Sequence, residues 1–77
     1  MKDVFAIVRR ITARILRVDE ARVEMGSRFK QDLAADSINL VEIAMAIEQE
    51  FDITLEDDEV TNITTVADAV NYILKRP

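Results

Sequence analysis

Apolar residues recur at helical spacing in three stretches of the chain. Val4, Ile7, Val8, Ile11, Ile15 and Val18 form the first stripe, with Arg9, Arg10, Arg14 and Arg17 mostly off it. Asp3 can cap that helix, which the pattern carries to about Val18. Leu40, Ala44, Ile47 and Phe51 share one side of a second helix over 37–51, with Ile43 beside them. Ile38, Val41 and Met45 lie away from that axis, on the same side as Glu42, Glu48 and Gln49. A short acidic element is expected over 57–61. Thr65 caps a last helix to about Leu74, with Asp68 in its first turn and Val66, Ala69, Val70 and Ile73 facing inward. The connection from Asp19 to Asp36 is long, and Gly26-Ser27 is its clearest turn signal. Val23, Phe29 and Leu33 are expected to pin it to the core, because unanchored loops of that length are uncommon in small domains. The reading is all-α: a small four-helix bundle with three longer helices, a short third helix and a long first loop.

Composition agrees and narrows the chemistry. With 77 residues, 49% apolar and 32% charged, residues 1–77 read as one globular domain. One Gly and one Pro leave few breaks for turns, which favours helices. The chain has no Cys, so any thiol it uses must come from a cofactor. It has no His, which rules out a Ser-His-Asp triad and removes the commonest general base. Glu56-Asp57-Asp58-Glu59 offers oxygen ligands but lacks the alternation and Gly of an EF-hand, so no specific metal site is expected. No apolar run approaches the roughly 20 residues of a membrane span, and the start lacks the apolar core of a signal peptide. A cytoplasmic monomer is expected.

Charge is unevenly divided. The net value of −5 hides eight Lys/Arg against four Asp/Glu in residues 1–30, and eleven Asp/Glu with no base in residues 31–74. An acidic field over the second half repels nucleic acid and attracts basic protein surfaces. The arginines of the first helix read as a solvated face that balances it.

One residue stands out chemically. Asp36 is a good N-cap, which puts Ser37 in the first turn of the second helix, near the positive end of its dipole. Free N–H groups there favour a phosphate, so Ser37 is well placed to carry a phosphodiester. A lone Asp-Ser at a helix start is more often only a cap, so the wider context decides.

That context resembles the acyl carrier proteins. Asp36-Ser37-Ile38 is similar to their Asp-Ser-Leu prosthetic-group site, Phe29 to Phe51 to their loop and second helix, and Ile63-Thr64-Thr65-Val66 to their C-terminal segment. The resemblance implies that Ser37 bears 4′-phosphopantetheine, whose thiol carries acyl groups between enzymes of fatty-acid synthesis. It implies a carrier without catalysis, served by a phosphopantetheinyl transferase. Synthases, reductases, dehydratases and acyltransferases with basic patches would dock on Ile38, Val41, Glu42, Met45 and Glu48. An acyl chain would be sheltered by Phe29, Leu40, Ala44, Ile47, Ile63, Ala69 and Ile73. Two alternatives stand beside it: a carrier for polyketide, lipid A or aminoacyl transfer, and an unmodified helical interaction module. Three positions depart from the family pattern. Ala34 stands where Gly is common, so a different backbone path is expected there. Ile38 replaces Leu, and Glu56 replaces a frequent Pro.

Overall fold

A computed structural model describes residues 3–75. It contains four α-helices: α1 (Val4–Leu16), α2 (Ser37–Phe51), α3 (Asp57–Asn62) and α4 (Val66–Leu74). A 3-10 turn, Glu20–Arg22, lies in the long connection after α1. Helix α1 packs against α2 and α4, and α3 rests on α2. The first helix stops short of Val18 because Arg17 adopts left-handed backbone at φ 58°, and the Val18 N–H turns back to the Ala13 carbonyl.

The core forms where the apolar stripes meet. Val8, Ile11, Val23, Phe29, Leu33, Ile43, Ala44, Ile47, Val66, Ala69, Val70 and Ile73 are buried. On α2 the buried axis is shifted toward Ile43, and Leu40 and Phe51 are only half-buried. The first loop is anchored by Val23, Phe29 and Leu33 as its spacing predicts. It is also tied to the segment before α4 by backbone pairing. The Phe29 N–H donates to the Thr64 carbonyl, Val66 N–H to Ser27 and Ala67 N–H to Met25, around an antiparallel bridge between Arg28 and Thr65. These bonds satisfy buried backbone groups that a bare loop would leave unpaired.

Caps set the helix starts. The Asp3 carboxylate accepts from Ala6 N–H, and Thr65 and Asp68 form a full capping box at α4. Asp68 accepts from the N–H groups of Thr65 and Thr64, chiefly Thr65, which hold its carboxyl below the usual aspartate range. A depressed native pKa means stability that is present above the unfolded value of about 3.9 and is lost as pH falls through the native value. Asp68→Ala should therefore cost on the order of 1 kcal/mol at neutral pH. The difference from the parent should shrink in acid, and urea midpoints at both pH values check it. A gap that stays constant with pH would mean the carboxylate charge contributes nothing.

Among the described residues, three non-glycine residues take positive φ: Arg17, Ala34 and Asp52. Asp52 tolerates the region, whereas Ala34 at φ 58° carries a left-handed cost of roughly 1–2 kcal/mol. The loop before Ser37 thus holds at Ala34 a conformation that glycine would adopt without that cost.

Candidate functional site

Ser37 opens α2 and is exposed. Behind it the Asp36 carboxylate accepts from Asn39 N–H at 2.8 Å, and the Asn39 side-chain oxygen accepts from Asp36 N–H at 3.2 Å. This reciprocal box fixes the backbone at the helix start. It leaves the N–H groups of Ser37 and Ile38, the first two of the helix, without a partner among the described residues. Those two donors and the helix dipole favour an anionic oxygen beside the Ser37 hydroxyl. The other serine, Ser27, has its hydroxyl engaged: it accepts from Glu24 N–H and donates to the Arg22 carbonyl.

A groove of about 650 Å³ runs from Ser37 along α2. Leu40, Val41, Ala44 and Met45 form one wall, and Leu55, Val60, Thr61 and Ile63 form the other. Below it lies an apolar void of about 20 Å³. Six of the seven expected lining residues meet there: Phe29, Leu40, Ala44, Ile47, Ile63 and Ala69. Ile73 does not line it; that side chain is buried elsewhere in the core. Ile43, Leu55 and Val60 complete the lining. Leu55 and Val60 were missed because they sit in and beside a six-residue acidic helix too short to show a stripe.

The expected docking residues are mostly on the surface. Ile38, Val41 and Met45 are 71%, 53% and 54% exposed, which makes an apolar patch beside Ser37, and Glu42 is exposed as well. Glu48 differs. It is half-buried, and its carboxylate accepts from the Leu55 N–H at 2.9 Å, so it holds the α2–α3 connection in place. A second tie fixes α3. Glu59 accepts from the Glu56 N–H to cap α3 and also from the Tyr72 hydroxyl on α4. Among the described residues, no group of three or more His, Cys, Asp or Glu side chains could hold a metal ion.

A helical chain that presents an exposed serine at a helix start, above an apolar groove, has the build of a carrier. Residues 6–73 match the family model described as the phosphopantetheine attachment site. An acyl carrier protein of Phaeodactylum tricornutum is 41% identical over 73 residues, covering 95% of this chain and 96% of that one. One of Clostridium acetobutylicum is 46% identical over 70 residues, covering 91% of each. A solved structure assigned as an acyl carrier protein of Mycobacterium tuberculosis superposes with a TM-score of 0.86 at 28% identity, covering 92% of this chain and 95% of that one. The chain belongs to the acyl carrier protein family. Proteins of this family are carriers that bear phosphopantetheine, not enzymes. No described helix is long and apolar enough to cross a membrane.

Proposed function

We propose that Ser37 is the attachment residue for 4′-phosphopantetheine, and that residues 1–77 act as one monomeric carrier domain of fatty-acid synthesis. The observation that carries this reading is an exposed serine, with free helix-start amides, at the mouth of a groove leading to an apolar void. The Ser37 hydroxyl attacks a phosphorus of coenzyme A, forming a phosphodiester as the adenosine-bearing phosphate leaves. The chain has no histidine, so the transferase supplies the base and the metal. Once attached, the group offers a thiol that holds acyl chains as thioesters. The amides of Ser37 and Ile38 would hold its phosphate, and the α2–α3 groove would take the chain. Ile38, Val41, Glu42 and Met45 meet the transferase, synthases, reductases, dehydratases and acyltransferases through basic patches on those enzymes.

The test is intact-mass measurement after co-expression with a broad-specificity phosphopantetheinyl transferase. The parent should gain one phosphopantetheine and Ser37→Ala should gain none. Mass gain on the Ser37→Ala chain would sink the assignment. Thioesters recovered from the source cell should be fatty acyl groups. Aminoacyl or polyketide cargo would point to a specialised pathway.

A further inference from the structure

Positive charge from the end of α1 and the 3-10 turn borders the start of α2, although the half of the chain containing α2 is acidic. An open depression of about 540 Å³ lies between the end of α1, the 3-10 turn, the loop at Leu33 and Ala34, and the first turns of α2. Ile15, Leu16, Val18 and Leu33 supply its apolar surface, and Arg17 and Arg22 stand on its rim. Both arginines are exposed, and neither has an ion-pair partner among the described residues. Asp32, on the same rim, is already held by Arg28 at 3.1 Å. The depression reaches Asn39 and Glu42, about half a turn and one and a half turns from Ser37.

Size brings this flank close to a footprint centred on Ser37. The molecule measures 30 × 28 × 19 Å. A stable partner covers about 800 Å² per side, a patch as wide as one end of this molecule. Glu42 lines the depression and lies one turn from Ile38 on α2, so an enzyme that covers Ile38, Val41 and Met45 and contacts Glu42 comes to the edge of the depression that Arg17 and Arg22 border. Arginine in such a patch is a frequent hot spot when it meets a carboxylate, and an unpaired one repels a basic surface.

We propose that the depression bordered by Arg17 and Arg22 is a second docking point, which receives an acidic side chain from the enzyme that engages Ser37. The partner surface is then mixed: basic opposite Glu42, acidic opposite the arginines. This inference rests on the carrier reading and adds a selectivity element to it, because a uniformly basic patch would be disfavoured.

The two kinds of partner predict opposite signs. If the enzyme patch is uniformly basic, Arg17→Glu/Arg22→Glu removes repulsion and tightens binding. If it is mixed, the same change weakens binding about tenfold or more, and Arg17→Gln/Arg22→Gln weakens it by less. The probe is an acyl-chain synthase from the source organism, titrated with the phosphopantetheine-bearing protein at low salt. Arg10→Glu, two turns back along α1 and outside the depression, is the control and should leave affinity near the parent value. Melting temperature and transferase loading of each variant separate docking from folding and from the carrier reading itself. Failure of the parent to load at Ser37 would count against that reading. Normal loading with affinity unchanged or raised in Arg17→Glu/Arg22→Glu, or no measurable binding by the loaded parent, would overturn the proposal.

Discussion

A medium-chain acyl group on the Ser37 arm will raise the melting temperature above that of the unacylated form, and Ala44→Leu will abolish the rise. The groove beside Ser37 narrows onto an apolar hollow of about 20 Å³, room for about one water and far too small for an acyl chain. An acyl chain can enter only if a wall yields. Helix α3 is that wall: it buries no residue of its own and rests on α2, with Glu48 and Tyr72 tying it down. Each methylene withdrawn from water stabilises by about 0.8 kcal/mol at most, and parting the wall offsets some of it. A group bound only in the folded state raises melting by linkage, so the rise should grow with chain length. Ala44 is buried and small, and leucine there fills the space. Overpacking will lower the baseline melting temperature of the variant by about 1–3 kcal/mol of stability, so the quantity to read is the difference between acylated and unacylated protein. Calorimetry on the parent with two chain lengths decides the matter. Melting that ignores chain length would mean the cargo stays in solvent.

Phe29→Ala should be the most damaging single truncation. Phe29 is 2% exposed and is among the largest fully buried side chains. Its ring lines the void with residues of α2, α3 and α4, and its backbone bonds to Thr64 and Ala35. Truncating such a ring costs about 3–5 kcal/mol. Small domains sit at the low end of the usual 5–15 kcal/mol range, so much of the total would be lost. At about 4 °C per kcal/mol or more, the melting temperature should fall by at least roughly 12 °C. Urea unfolding gives the same quantity independently. A loss below 1 kcal/mol would mean the loop is held by its backbone pairing alone.

The helix starts were legible in the chain because capping is local. Asp36-Ser37 and Thr65 with Asp68 each place an acceptor within three residues of the amide it satisfies. The apolar stripes were legible for the same reason, since residues three and four apart share a helix face whatever surrounds them. The position of Ser37 in the first turn of α2, with Ile38, Val41 and Met45 off the buried side, was therefore legible before any packing was known. Acyl carrier membership was equally visible, because the Asp36-Ser37-Ile38 motif, the run from Phe29 to Phe51 and Ile63-Thr64-Thr65-Val66 follow one another in the family's order.

What tertiary structure decided involves residues far apart in sequence. The pairing of Arg28 with Thr65 reaches across 37 residues, nearly half the chain, and no periodicity announces it. Glu48 reads as a surface acid on helical spacing, yet the backbone returning at Leu55 draws its carboxylate inward. Leu55 and Val60 entered the lining of the void because α3 folds back over α2, which a six-residue helix cannot signal alone. The left-handed backbone at Ala34 was set by the closure of the loop onto Phe29, not by alanine's own preference. Arg17 looked like part of a solvated basic face until the end of α1 was laid beside the start of α2, where it and Arg22 border one depression. Local hydrogen bonds and periodic burial are properties of a segment. Which surfaces meet is settled by the most apolar area that can be buried at once with every backbone group paired, and that is a property of the whole chain.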